Sequence, residues 1–137
     1  MRLSGKTALI TGAARGIGFE FARAYIAEGA TVALADINAE AVNAAAASLG
    51  PQAVAIQMDV TRQDSIDAGF EKAVAEMGQL DILINNAGFG SDGTDASLAD
   101  ENEAHFDKQF AINVKGPHFV TQAALPRLRD HGRIVNI

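Results

Sequence analysis

Five short apolar runs, separated by segments of helical periodicity, constrain the fold of this chain more than any other feature. The runs lie at 7–10, 32–35, 53–56, 82–84 and 134–137. Each has the length of a strand, and nearly continuous apolar runs are typical of parallel strands that are covered on both faces. Because strands alternate with helices along a single domain, 1–137, the sequence predicts a doubly wound α/β fold with a parallel sheet.

The segments between the runs carry apolar residues at helical spacing. Three amphipathic stripes are predicted: Ile17, Phe21, Ala24 and Tyr25; Val42, Ala45, Ala46 and Leu49; and Ile66, Phe70, Ala73, Val74 and Met77. Thr61 and Asp64 have the spacing of a capping box at the start of the third helix. A longer helix is predicted over about 100–128.

The bulk composition excludes several classes of function. The chain has 137 residues, a net charge of -6 and no cysteine. This balance disfavours nucleic-acid binding, and the lack of cysteine excludes disulfides, thiolate catalysis and cysteine-based zinc sites. No apolar run approaches the ~18 residues of a membrane span and no signal peptide is evident, so we expect a cytoplasmic protein with no membrane partner. The acidic pairs Asp92/Asp95 and Asp100/Glu101 are predicted to be solvated turn charges, and no metal site is expected.

A glycine-rich loop joins the first run to the first helix. In Thr11–Gly18, Gly12 permits a tight turn, Gly16 allows the backbone to approach a pyrophosphate, and Gly18 allows close helix packing. The helix N-terminus then offers free N–H groups to phosphates. The alternative is a turn that serves packing alone, but the strand-turn-helix context favours phosphate binding.

Polar residues follow the next three runs, where parallel sheets bind their ligands. Asp36 is placed to accept hydrogen bonds from the adenosine ribose, with a helix cap or a surface turn as the alternative. Asp59 and Val60 are placed to contact adenine, although Asp59 also suits a cap. The segment Asn85–Gly88 suits a loop that lets a cofactor pass closely, although alone it would be an ordinary turn.

Together these motifs, with Phe110–Val114, resemble the short-chain dehydrogenase/reductase family over the whole chain, and the stretches 1–7 and 35–38 are similar to bacterial sorbitol-type polyol dehydrogenases. The resemblance implies a Rossmann-type sheet of order 3-2-1-4-5, NAD(P)-dependent hydride transfer with an alcohol or carbonyl substrate, and homo-oligomers assembled through the long helix. The residues expected to bind the cofactor are Gly12, Ala14, Arg15, Gly16, Ile17, Gly18, Asp36, Ile37, Asp59, Val60, Asn86, Ala87 and Gly88. Asp36 favours NAD over NADP, whereas Arg15 argues the other way.

Asn113 is the one expected member of the family's catalytic group. In the family the backbone carbonyl at this position holds a water in a proton relay. The residues supply a reason, because the helical partner of that carbonyl would be Pro117, which has no N–H, and Gly116 weakens the helix further. The carbonyl is therefore predicted to be free, at a kink. The alternative is a kink without a catalytic role.

The rest of the family's catalytic group has no counterpart among the 137 residues. A Ser, a Tyr and a Lys four residues after the Tyr are needed, but the only tyrosine is Tyr25, on a core stripe with Gly29 in the lysine position. His105, His118 and His131 are predicted to be surface residues. We therefore expect a cofactor-binding half, truncated after the fifth strand and inactive alone. The alternatives are a non-catalytic dinucleotide-binding or interaction module, and a methyltransferase-like nucleoside binder.

Overall fold

The structure, a computed structural model, describes residues 1–90 and 97–137. The strands of this described part form one sheet: β1 (Thr7–Thr11), β2 (Thr31–Asp36), β3 (Ala53–Gln57), β4 (Leu80–Asn85) and β5 (Leu128–Asn136). All neighbours pair in parallel, in the order β3-β2-β1-β4-β5. The predicted doubly wound fold and its strand order are confirmed, and β5 lies at one edge of the sheet.

Helices connect the strands: α1 (Gly16–Ala27), α2 (Ala39–Leu49), α3 (Gln63–Met77), α4 (Glu103–Phe110) and α5 (Gly116–Ala124). A π-helical segment, Ala111–Lys115, joins α4 to α5 without a break, and a 3₁₀ turn, Leu125–Arg127, leads into β5. The predicted long helix is therefore present close to its predicted bounds of about 100–128, since the helical stretch begins at Glu103 and its 3₁₀ turn ends at Arg127. It begins after Asn102, whose side chain accepts the His105 N–H at 2.9 Å.

The alternation of side chains along each strand divides the core between the two faces of the sheet. In β1, Leu9 packs on one face with residues of α3 and α5, whereas Ala8 and Ile10 pack on the other with residues of α1 and α2. The apolar stripes predicted for α2 and α3 are confirmed, since their main members are buried. Burial on both faces explains why the strands are nearly continuous in apolar residues.

The stripe predicted for α1 is wrong at Ile17 and at Ala24. Ile17 is 63% exposed and Ala24 is exposed as well, Phe21 and Tyr25 are half-buried, and Gly18 and Ala22 are the buried residues of this helix. Gly18 packs closely against the glycine loop, where only a glycine fits, because a Cβ at this position would lie 2.4 Å from the Gly12 carbonyl oxygen. The glycine loop, rather than apolar periodicity, therefore sets the rotation of α1.

The predicted capping box at the start of α3 is also wrong. Arg62 occupies the N-cap position, and its side chain makes no cap hydrogen bond. Thr61 instead donates both its N–H and its hydroxyl to Asp59 Oδ1, at 2.9 and 2.7 Å. Asp64 accepts from Arg62 and from the Ser65 N–H. The carboxylate at the end of β3 is the closer acceptor, so the turn forms around Asp59.

A buried carboxylate joins three strands at the opposite end of the sheet from these loops. Asp81 accepts the Thr7 N–H at 2.9 Å and pairs with Arg129 at 2.8 Å and Lys6 at 3.5 Å. These contacts connect the starts of β1, β4 and β5. Within the described ranges, no helix is long and apolar enough to cross a bilayer.

Candidate nucleotide-binding site

The glycine loop between β1 and α1 is held in an open turn by two left-handed glycines. Gly12 has a φ of 64° and Gly16 a φ of 60°, conformations that other residues adopt at a cost. A Cβ on Gly12 would lie 2.8 Å from the Ala87 Cα, whereas one on Gly16 would meet nothing within 4 Å. Gly12 thus serves packing against the β4 loop, and Gly16 faces open space.

The loop is fastened to the end of β4 by Thr11 and Asn86. The Thr11 hydroxyl oxygen accepts the N–H groups of Asn86 and Ala87, both at 3.0 Å. The Asn86 side chain donates to the carbonyls of Thr11 and Gly12, at 3.1 and 3.2 Å. Asn86 was predicted to contact a cofactor; the structure shows that its amide supports the glycine loop. Thr11 was assigned no role from the sequence.

The first N–H groups of α1 have no hydrogen-bond partner within the helix. Arg15 is the N-cap, its side chain makes no cap hydrogen bond, and the first turn of α1, all of it described, contains no acidic residue. Phe19 N bonds to the Arg15 carbonyl at 3.3 Å, so the N–H groups of Gly16, Ile17 and Gly18 precede the first bond of the helix. Free N–H groups and a helix dipole suit an anionic group such as a phosphate.

Asp36 stands at the end of β2, beside this loop. Its Oδ2 accepts the Ala14 N–H at 3.2 Å, and its Oδ1 accepts the Asn38 N–H at 3.1 Å. The two bonds fix the carboxylate plane and leave lone pairs on both oxygens, since a carboxylate offers about four acceptor sites. Asp36 and Arg15 do not form an ion pair within 4.0 Å. The helix-cap alternative for Asp36 fails, because Asn38 itself caps α2 by accepting the Ala41 N–H. The bond from the Asn38 N–H to Asp36, two residues earlier, does form the turn that the other alternative predicted.

One cavity of about 690 Å³ opens between these elements. We call it the glycine-loop cavity. Its walls come from the carboxyl ends of β1, β2, β3 and β4 and from the π-helical segment. The lining residues are Thr11, Gly12, Arg15, Gly16, Ala35, Asp36, Ile37, Met58, Asp59, Val60, Thr61, Asn86, Ala87, Gly88, Phe89, Lys108, Ala111 and Ile112.

Most of the residues predicted to bind a cofactor therefore lie together, and three do not line the cavity. Ala14 lies behind it, with its N–H on Asp36, and Gly18 is buried beneath Gly12. The Ile17 side chain projects into solvent. Sequence reasoning missed Phe89 and Lys108, because a lone aromatic after a loop and a lysine on a helix carry no distinctive spacing.

Asn113 lies on the π-helical segment and faces a second cavity. The π geometry is shown by the Gly116 N–H, which bonds to the carbonyl of Ala111, five residues earlier. Such segments are rare and frequently occur at functional sites. The helix thus departs from α geometry where Gly116 and Pro117 predicted a break. The departure is a change of hydrogen-bond register, which the sequence alone did not predict.

The Asn113 side chain holds the segment that follows β4. Its Oδ1 accepts the Phe89 N–H and its Nδ2 donates to the Phe89 carbonyl, both at 2.7 Å. This paired contact imitates the bonds of a neighbouring strand. It fixes Gly88 and Phe89 at the edge of the glycine-loop cavity, and no motif in the sequence predicts it.

Residues of α4 hold the Phe89 ring. The His105 ring meets it edge to face, with centroids 5.6 Å apart, and Lys108 Nζ lies 4.1 Å from its centre. His105 also bonds to Glu101 and to Gln109, and its side chain is only 12% exposed. The prediction that His105 is a surface residue is therefore wrong, since the aromatic contact covers it. His118 and His131 are exposed, as predicted.

Of the two acidic pairs in the sequence, the structure describes only Asp100/Glu101. Asp92 and Asp95 lie outside the described residues. Asp100 accepts the Ser97 hydroxyl at 2.7 Å, and Glu101 pairs with His105. Within residues 1–90 and 97–137, no cluster of three or more acidic or histidine side chains has the geometry of a metal site.

The second cavity, of about 670 Å³, adjoins the first and shares Asn86, Ala87 and Gly88 with it. We call it the asparagine cavity. Asn85 is buried at its base, donating to Thr121 Oγ1 at 3.0 Å and to Asn136 Oδ1 at 2.8 Å. The remaining lining residues are Asn113, Val114, Pro117, His118, Gln122, Leu125 and Ile137. The two cavities together form one cleft across the carboxyl edge of the sheet.

Known proteins resemble this chain in sequence and in fold. The sorbitol dehydrogenase of Cereibacter sphaeroides is 50% identical over 133 residues, which are 97% of this chain and 51% of that protein. The galactitol 2-dehydrogenase of Agrobacterium fabrum is 43% identical over 141 residues, 100% of this chain and 54% of that protein. A crystal structure of 3-ketoacyl-(acyl-carrier-protein) reductase from Brucella melitensis, complexed with NADH, superposes with a TM-score of 0.92 at 31% identity, covering 98% of this chain and 57% of that one.

The chain thus spans about half the length of the curated relatives it matches. The family model described as short chain dehydrogenase matches residues 6–137. The glycine loop, the parallel strand order and the matched range agree with one another, and the chain belongs to the short-chain dehydrogenase family.

Proposed function

We propose that the glycine-loop cavity binds NAD(H) and that the protein is an NAD-dependent oxidoreductase acting on the alcohol carbons of polyols or on the matching carbonyls. The observation that carries the proposal is the pairing of an uncapped helix N-terminus with a carboxylate one strand away. Gly16 lies open above the first turn of α1, and Asp36 stands where β2 ends. In a dinucleotide, the phosphates require N–H donors such as those of the helix N-terminus, and the ribose hydroxyls require an acceptor such as the carboxylate.

The cavity fits the parts of a dinucleotide in order. The N–H groups at the start of α1 suit the pyrophosphate, and Asp36 suits the adenosine ribose hydroxyls. Asp59 and Val60 stand at the end of the next strand, where an amino group and a ring face suit them. In the other direction, Asn86–Gly88 lead to the asparagine cavity, which has room for the nicotinamide end and a small polar substrate. When bound, the cofactor supplies hydride exchange with a carbon atom.

NAD is favoured over NADP because of charge. An additional phosphate on the adenosine ribose would face the Asp36 carboxylate, and repulsion at ~4 Å is roughly 4 kcal/mol per unit charge at an effective dielectric of about 20. Arg15 lines the same cavity and is the counterweight. Asp36 has the stronger claim, since two backbone N–H groups hold it in place, whereas the Arg15 side chain is exposed.

The polyol substrate class rests on the similarity to two relatives, the sorbitol and galactitol dehydrogenases. Asn113 is proposed to take part in proton transfer through its backbone carbonyl. Alone, the 137-residue chain is expected to give no turnover, because the residues lining its two cavities include no tyrosine to act as proton donor. NADH formation by the pure chain with a panel of polyols would overturn that expectation.

Self-association is proposed through the helix that carries Asn113. Phe106 and Phe110 stack on each other, with ring centroids 4.6 Å apart, and each is 50% exposed. Val114, one turn further on, is 55% exposed. Three apolar side chains on one face suit contact with a second copy of the chain.

Direct titration of NADH by its fluorescence tests the cofactor proposal. We expect saturable binding that AMP competes away, and tighter binding of NADH than of NADPH. The alternative function, a dinucleotide-binding module without catalysis, also predicts this binding. The two functions are distinguished by a longer chain that also contains a segment matching the second half of the relatives. An oxidoreductase would then reduce NAD in the presence of a polyol, and a binding module would not.

A further inference from the structure

Val60 forms part of the wall of the glycine-loop cavity, and Gly116 stands directly behind it. Gly116 is buried at the first position of α5. A Cβ built on it would lie 3.0 Å from Val60 Cγ2 and 3.3 Å from both Val60 Cβ and the Val60 carbonyl oxygen. Such contacts are tighter than side chains normally tolerate, so the lack of a side chain at Gly116 lets α5 and the turn after β3 approach this closely.

The contact gives Val60 little freedom to move aside. A valine is stiff about χ1, because two methyl groups branch at Cβ, and here its backbone carbonyl is touched as well. A methyl group at Gly116 would therefore press directly on Val60.

Gly116 also ends the π-helical segment. Its N–H bonds to the Ala111 carbonyl, and Ala111 and Ile112 line the same cavity as Val60. The π segment and the turn after β3 therefore form one continuous wall, joined where Gly116 meets Val60. A displacement of Val60 at this contact would therefore move the wall of the cavity next to Asp59.

We propose that Gly116 is a positioning residue for the adenosine half of the cofactor, acting through Val60. The inference rests on the proposed function, because it assumes that adenosine occupies the space in front of Val60. Gly116 itself does not line the cavity. Its effect on binding is therefore indirect, and it should be confined to ligands that contain adenosine.

A purely structural role predicts a different result. Alanine favours helix over glycine, so a Gly116→Ala change that acted only on α5 would leave stability unchanged or raised and would affect all ligands alike. Action through Val60 predicts selective loss, and it predicts that the loss depends on the valine methyl groups.

A double-mutant cycle separates these outcomes. AMP and NMNH, as the two halves of the cofactor, would be titrated against the unaltered chain, Gly116→Ala, Val60→Ala and the double variant, with unfolding followed in parallel. We expect Gly116→Ala to weaken AMP binding about fivefold to tenfold and NMNH binding less than twofold. In the Val60→Ala background, Gly116→Ala should change AMP binding less than twofold.

Equal losses for AMP and NMNH, or the same loss of AMP binding in both backgrounds, would overturn the inference. If Gly116→Ala does not fold, the double variant should fold and bind AMP as Val60→Ala does; a double variant that also fails to fold would show that Val60 is not the contact that matters. Failure of the unaltered chain to bind AMP would instead overturn the proposed function itself.

Discussion

Asn113 and Phe89 lie 24 residues apart in the sequence, and two hydrogen bonds of 2.7 Å join the side-chain amide of one to the backbone of the other. The amide thus replaces a strand neighbour for a segment that has left the sheet. Because Gly88 and Phe89 border both the cavity and the π-helical segment, this clamp connects the proposed cofactor site to the helix that carries Asn113.

Removing the clamp should weaken cofactor binding without removing the carbonyl. Each exposed hydrogen bond contributes about 0.5–1.5 kcal/mol, so Asn113→Ala should reduce NADH affinity by roughly tenfold. Asn113→Asp keeps an acceptor for the Phe89 N–H but has no donor for the Phe89 carbonyl. Its NADH affinity should lie between those of the unaltered chain and Asn113→Ala. Fluorescence titration measures both, and an unchanged affinity in Asn113→Ala would show that Phe89 holds its place without the clamp.

Thr11 should matter for stability through its hydroxyl oxygen. That oxygen accepts two N–H groups, those of Asn86 and Ala87, within a part of the protein that is largely shielded from water. Thr11→Val keeps the shape and leaves both donors without a partner, at a cost of about 2–4 kcal/mol in the free energy of unfolding. Urea unfolding measures this cost. Thr11→Ser retains the oxygen and is the matched control; equal losses in the two variants would assign the effect to packing.

Asp81 should make the stability of the fold sensitive to acid. Burial acts to raise the pKa of this carboxyl, but the Thr7 N–H and the charges of Arg129 and Lys6 outweigh it, so the pKa lies below its ordinary value of 3.8. A carboxyl with a lowered pKa stabilises the folded state above its unfolded pKa, and that contribution is lost as the pH falls through the folded value. The window therefore begins near pH 4 and extends downward.

We expect Asp81→Asn to unfold at lower urea concentration than the unaltered chain at pH 7, with the difference shrinking below about pH 4. Asp64 is the control. Its pKa is also lowered, first by its hydrogen bond with Arg62, but the pair is exposed, so Asp64→Asn should have little effect at any pH. A difference between Asp81→Asn and the unaltered chain that stays constant down to pH 3 would contradict the linkage.

Asp36 should decide the choice of cofactor. Asp36→Ala removes the acceptor for the ribose hydroxyls and the charge that repels a phosphate, so it should weaken NADH binding and strengthen NADPH binding, each by about tenfold. Arg15→Ala is the comparison and should change the preference less. Parallel titrations of both cofactors measure the ratio, and tighter NADPH binding by the unaltered chain would give Arg15 the greater weight.

The sequence predicted the features that depend on residues close together in the chain. Apolar runs identified the strands, and the glycine loop, Asp36 and Asp59 could be placed because strand ends converge in a parallel sheet. The amide contacts of Asn86 and Asn113 could not be predicted, since they join segments tens of residues apart. His105 is covered by Phe89, a residue outside its helix, so no apolar periodicity in the sequence could predict that His105 is shielded.

Two local predictions failed because a contact with the end of the preceding strand prevailed. Thr61 and Asp64 have the spacing of a capping box, but Asp59 at the end of β3 offers Thr61 a nearer acceptor. Ile17 fits the apolar stripe of α1, but Gly18 must lie against Gly12, and this turns Ile17 outward. In both places the geometry at a strand end determined the first turn of the following helix.

The central claim is that NAD occupies the glycine-loop cavity, and an amide-resolved NMR titration of the 14.3 kDa chain with NAD tests it most directly. The predicted result is a saturable change at the amides of Gly12–Gly18, Asp36–Ile37, Asp59–Val60 and Asn86–Gly88, with Asp81 and its neighbours unaffected. Changes confined to other surfaces, or no saturable change at millimolar NAD, would contradict it.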